Sequence, residues 1–165
     1  DDNRWGRAQR PVINITHDEA VAFTHWLSEY TGETYRLPTL AEWQYAAGAK
    51  RTENTIAVLD CKSANISPRN GQACSVGLSS PEGGTLPVGQ YAPNEFGLHD
   101  LQGNVAEWLS DCGVEVQTNK QCDSRLVIGG AWLSYPEDAS VNSVQKIHPH
   151  RRGTDIGFRV VKSLH

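Results

Sequence analysis

The sequence predicts an α+β fold, rich in loops, with two helices near the N-terminus and a small antiparallel sheet late in the chain. Three observations carry this. The pattern T-x-x-E occurs twice, at Thr16–Glu19 and Thr39–Glu42, each ahead of an apolar-periodic run. That is the capping-box signature of a helix start. Runs rich in β-branched and aromatic residues gather in the C-terminal third. The chain carries 15 glycines and 8 prolines with no repeating period, which marks irregular connections. A chain of 165 residues suits one domain with its own core.

Taken in order, residues 1–11 are polar and irregular, and Val12–Ile15 reads as a short strand. The first capping box predicts a helix with Ala20, Phe23, Leu27 and Tyr30 on one face, Trp26 at its edge and Gly32 at its C-cap. His17 and His25 fall on its surface. The second box predicts a helix to about Ala47, stopped by Gly48. Residues 50–85 show neither period, so this long segment is either functional or tied down. Leu86–Tyr91 reads as an edge-like strand, and Ala106–Asp111 as a further strand. Arg125–Trp132, Ser140–Gln145 and Ile156–Val161 complete the sheet. Trp26, Trp43, Trp108 and Trp132 read as core anchors.

One stretch has neither period: Asn94 to Trp108. Gly97 and Gly103 permit backbone angles closed to other residues. Asp100, Asn104 and Glu107 set oxygen atoms beside carbonyls that an irregular loop leaves unpaired. Two readings follow, a calcium-type site of six to eight oxygens or a hydrogen-bonded knot packed under Trp108.

The four cysteines are Cys61, Cys74, Cys112 and Cys122, with no C-x-x-C among them, which argues against a zinc knuckle. They form two local pairs. Of the three possible pairings the simplest is 61–74 with 112–122, each bridge contributing roughly 3 kcal/mol by loop entropy. Disulfides place the chain in an oxidising, extracytoplasmic compartment. Net charge is −4 without a basic run, which argues against nucleic acid as partner. No apolar stretch is long enough to insert in a membrane, and no leader pattern is present.

Five segments in register now form a recognisable pattern. They are Pro11-Val12-x-Asn14-Ile15; Tyr35-Arg36-Leu37-Pro38-Thr39 through Ala47; Asn94-x-Phe96-Gly97-Leu98-x-Asp100-Leu101-x-Gly103-Asn104-Val105-x-Glu107-Trp108; Gly129-Gly130-Ala131-Trp132; and Asp155-Ile156-Gly157-Phe158-Arg159. The chain closely resembles the formylglycine-generating enzyme (sulfatase-modifying factor) family over nearly its whole length. The resemblance implies a C-type-lectin-like fold. It implies a calcium ion on the side chains of Asp100 and Glu107 and the carbonyls of Leu101, Gly103 and Val105. It implies a second, weaker metal site beginning at Asn65 and Ile66, whose acidic partner would fall near Ser80, where no carboxylate stands. It also implies segments upstream of residue 1, with a sheet edge left open to a partner.

Catalytic members oxidise a substrate cysteine with molecular oxygen, using copper held by two cysteines shortly after the Gly-Gly turn. Here those positions are Ser134 and Ala139, neither of which can be a thiolate ligand for Cu(I). This predicts a non-catalytic member that binds a protein, peptide or glycan through its C-terminal loops, with Tyr135, Glu137, Asp138, His148, His150 and Arg151 as candidates. Such domains resemble sensor or accessory modules of larger bacterial proteins, where the remaining partner is the rest of the parent chain. The alternative is an oxidoreductase of the same family with non-haem iron on His148, His150 and Glu137 or Asp138, or with a displaced copper site. A third reading, a variable-loop binding protein of this fold, expects an Asn-rich final segment, and only Asn142 lies between Gly130 and Gly157. Arg36 and Arg159 sit inside fixed motifs and are expected to pair with buried acids, Glu42 being a candidate for Arg36.

Overall fold

A computed structural model describes residues 2–48, 59–69, 71–78, 81–113 and 122–164. Both capping boxes form. Thr16 caps α1 (His17–Thr31), its hydroxyl accepting from the Glu19 N–H while the Glu19 carboxylate accepts from the Thr16 N–H. Gly32 ends the helix in the left-handed region, φ 72°, where glycine has no Cβ penalty. Thr39 and Glu42 start α2 (Leu40–Ala46) in the same way.

The strands are β1 (Tyr35–Arg36), β2 (Ala106–Cys112), β3 (Arg125–Ile128), β4 (Val144–Ile147), β5 (Ile156–Gly157) and β6 (Val161–Lys162). β1 and β6 form an antiparallel pair. The main sheet has the order β4-β3-β2-β5, antiparallel except for the β2–β5 edge. This is the expected α+β fold, with shorter strands than the sequence suggested. Asn14 sits at φ 60°, which breaks the strand expected at Val12–Ile15. Residues 86–91 turn rather than extend, with Gly89 at φ 77°. Gly129 and Gly130, at φ 93° and 65°, end β3 at Ile128. The strand expected at 140–145 lies at 144–147, because Ser140–Ser143 closes a turn. The last stretch divides between two sheets as β5 and β6.

The sheet is covered on both faces, and the period of two decides which side chain goes where. Ala106, Trp108 and Val127 meet Ala20 of α1 with Leu37 and Ile156. Leu109, Leu126 and Ile128 meet Trp43 of α2 with Leu101. Trp43 and Trp108 are fully buried, as expected of anchors. α1 differs. Its small residues Ala20 and Thr24 face inward with His17, while Phe23, Trp26 and Tyr30 stay largely exposed. His17 is therefore a core residue and not a surface one; its ring packs edge-on against Trp108.

Cys61 bonds Cys74 and Cys112 bonds Cys122, the local pairing expected. No cysteine is free. Two disulfides indicate an oxidising location. Among the described residues no helix is long and apolar enough to cross a membrane.

Candidate functional site

The loop from Asn94 to Val105 is built from side chains that substitute for regular backbone pairing. The Asn94 side-chain Oδ1 accepts from the N–H groups of Phe96 and Leu98, and its Nδ2 donates to the Ala46 carbonyl in the last turn of α2. Asp100 at φ 54°, Gly103 at φ 79° and Asn104 at φ 65° curl the chain. Asn104 is the hub. Its carbonyl accepts from Asn65 Nδ2 and the Leu86 N–H, and its amide donates to the Leu86 carbonyl. Its own backbone joins Asn65 and Trp132. One buried side chain thus fastens three loops together, which is the knot reading made concrete. The sequence signal was an Asn after a Gly in an aperiodic stretch, and nothing local named its partners.

Glu107 lies on β2, 4% exposed. Both its oxygens take hydrogen bonds at 2.7 Å from Arg159, and Oε2 also accepts from Trp43 Nε1 at 2.6 Å. Arg159 further donates to the His99 carbonyl. Burial works against its charge, and Glu107 outweighs that, so its pKa is raised. Arg159 thus pairs with a buried acid. Arg36 pairs bidentately with Glu42, but Glu42 is half exposed and not a buried acid.

This geometry bears on the five calcium positions. Glu107 is not open as a bidentate ligand, because Oε2 is saturated and Oε1 already holds an Arg159 donor. Asp100 Oδ2 accepts from the Gly89 N–H at 2.6 Å. Among the described residues no three His, Cys, Asp or Glu gather in a metal-holding group. At the second position, the Ile66 carbonyl accepts from the Cys74 N–H. Asn65 Oδ1 is buried with no hydrogen-bond partner. Its amide orientation is set by donation to the Gly84 carbonyl and Asn104 Oδ1, so the open atom is the oxygen. Ser80 lies outside the described residues.

After Gly130 the chain turns back tightly; a Cβ on Gly130 would stand 2.6 Å from the Ala139 Cα. Ala139 is buried against Leu59, Ala64 and Ile66. The Ser134 hydroxyl accepts from the Ala131 N–H, closing that turn. The candidate ligand residues form two groups. Tyr135 carries the Arg69 guanidinium over its ring, and Arg69 is ion-paired with Glu137. Arg69 was not singled out by sequence; it lies in an aperiodic segment far from Tyr135 in the chain. His148 and His150 stand with ring centroids 5.3 Å apart, beside Arg151, which pairs with Asp155. Asp138 donates its N–H to the Tyr135 carbonyl. Glu137 is held by Arg69, and among the described residues no group of three His, Cys, Asp or Glu includes His148 and His150.

The sequence profile of the sulfatase-modifying factor enzyme 1-like domain matches residues 2–164. The chain belongs to the sulfatase-modifying factor family. Within that family, it is 32% identical over 139 residues to the chaperone protein LppX of Paenibacillus barcinonensis, covering 78% of this chain and 49% of LppX. It is 33% identical over 185 residues to the formylglycine-generating enzyme of Mycobacterium tuberculosis, covering 94% of this chain and 58% of that enzyme. The structure of PvdO from Pseudomonas aeruginosa superposes with a TM-score of 0.78 at 27% identity, over 96% of this chain and 64% of PvdO. The chain spans about half or less of the first curated relatives it matches.

Proposed function

We propose that this chain is a non-catalytic binding module of the sulfatase-modifying factor family, working outside the cytoplasm in the periplasm or as a secreted domain. It holds a protein, peptide or glycan ligand through the loops after Gly130. One observation carries this reading. The resemblance puts the copper thiolates at Ser134, here a turn-closing hydroxyl, and Ala139, here a buried methyl, and all four cysteines are consumed in disulfides. A soft cuprous ion needs thiolates, and this chain has none to offer. The ligand surface is the exposed Arg69–Tyr135–Glu137 group together with His148, His150 and Arg151. Coverage of only part of its relatives' length supports a module within a larger protein.

A calcium ion would stiffen the loop knot, held by Asp100, one oxygen of Glu107 and the carbonyls of Leu101, Gly103 and Val105. Hard oxygen donors suit it. Metal analysis tests both parts. The reading expects about one calcium per chain, a melting temperature lowered by a calcium chelator, and no oxygen-dependent loss of thiol from a cysteine-containing substrate peptide. Stoichiometric copper or iron, or turnover of that peptide, overturns the non-catalytic assignment. A chelator without effect overturns calcium alone.

A further inference from the structure

A cavity lies apart from the loops after Gly130. It is about 410 Å³ and opens between the N-terminal segment and the turn before β5. Three arginines line it, Arg7, Arg10 and Arg152, against a single carboxylate, Asp2. The opposite wall is apolar, made by Pro11, Val12, Ile13 and Ile15.

The arginines are held differently. Arg152 donates to the Asn14 carbonyl at 2.7 Å and to Glu19 at 2.6 Å. Two of its five N–H donors are thereby spent on orientation, and the remainder of a rigid fork is left pre-positioned. A preformed fork loses less freedom when it binds. Arg7 is 82% exposed, with its Nε 3.5 Å from Asp2, a pair that contributes little in water. Its guanidinium can exchange that contact for a ligand anion at small cost. The wall is shaped by Asn14, held in the left-handed region by its N–H bond to the Gly153 carbonyl. A non-glycine residue there costs about 1 kcal/mol or more.

We infer that this cavity binds a small organic anion, a phosphate- or carboxylate-bearing molecule whose head meets Arg7 and the remaining donors of Arg152 and whose apolar body lies on Pro11 to Ile15. The volume falls within the range of small-molecule sites, about 300–1,000 Å³, and exceeds what a bare inorganic anion fills. Guanidinium groups match both head groups bidentately.

The test is calorimetric titration of the intact chain with four probes: phenyl phosphate, benzoate, inorganic phosphate and benzyl alcohol. Phenyl phosphate or benzoate binds, and the stronger of the two identifies the head group. Inorganic phosphate binds about tenfold more weakly, and benzyl alcohol does not bind. Arg7→Ala, at an exposed position that leaves folding intact, weakens the better anion about tenfold, as does Arg152→Lys, which keeps a positive charge beside Glu19 but removes the fork; loss of one charged hydrogen bond is worth that much. An unchanged melting temperature for Arg7→Ala confirms that the fold is not the cause. Equal binding of benzyl alcohol, absence of binding by both aromatic anions, or an Arg7→Ala variant with unaltered affinity overturns the inference.

Discussion

Glu107→Ala should be the most damaging single substitution within β2. It leaves two groups without their acceptor: the Arg159 guanidinium, whose side chain is 24% exposed, and the indole N–H of Trp43, which is 1% exposed. Breaking one half of a buried ion pair costs about 3–5 kcal/mol, and an orphaned buried N–H about 1–3 kcal/mol. The two overlap, and Arg159 keeps its bond to the His99 carbonyl. The expected loss is therefore about 4 kcal/mol, a large share of the 5–15 kcal/mol typical of a domain. Glu107→Gln keeps an acceptor for Trp43 and should cost about 2 kcal/mol. The pair Glu107→Leu with Arg159→Met removes both charges and should cost far less than the sum of the two single changes, with a coupling of about 2 kcal/mol. Urea denaturation followed by fluorescence reads the parent and the five variants, because Trp43 and Trp108 are buried reporters. Additive single changes, or a Glu107→Gln variant as stable as the parent, would refute the assignment of Glu107 to the ion pair.

Three further outcomes follow from the geometry. Gly103→Ala should cost about 3 kcal/mol, since its φ is +79° and a Cβ would fall onto the Asn65 carbonyl oxygen, whereas Gly97→Ala, at φ +75° with open space, should cost about 1 kcal/mol of backbone strain alone; equal losses on denaturation would remove the close-approach argument. Reducing both disulfides should lower the melting temperature, each bridge closing a short loop worth roughly 3 kcal/mol, and a non-reducing peptide map should return only the pairs 61–74 and 112–122. Stability should fall in two steps as pH drops. Burial lowers the pKa of His17, so the unfolded chain takes up the proton first, and stability declines once pH passes below about 6.5. Arg152 and the Thr16 N–H hold Glu19 at about 2, and Arg36 and the Thr39 N–H hold Glu42 at about 2. Their contribution is present above the ordinary value of 4.5 and is lost as pH falls toward 2. Melting curves from pH 8 to 3 should show both steps, and His17→Gln should erase the first.

Local chemistry explains why much of this protein was legible from its sequence. Capping boxes act over three residues, so both helix starts followed from Thr16–Glu19 and Thr39–Glu42. The disulfides close short loops, so proximity along the chain selected their partners. The motif order placed the chain in its family. Other features depend on groups distant in sequence. The ion pair of Glu107 with Arg159, 52 residues away, has no local signal in the sequence. The α1 periodicity allowed an aromatic face to be taken as the buried one. The helix instead turns Ala20 and Thr24 inward and leaves Phe23, Trp26 and Tyr30 outside. Helical period states which residues share a face; only the packed neighbour decides which face is covered. The anion cavity is of the same kind, since Arg7 and Arg152 come from opposite ends of the chain and meet only when it folds.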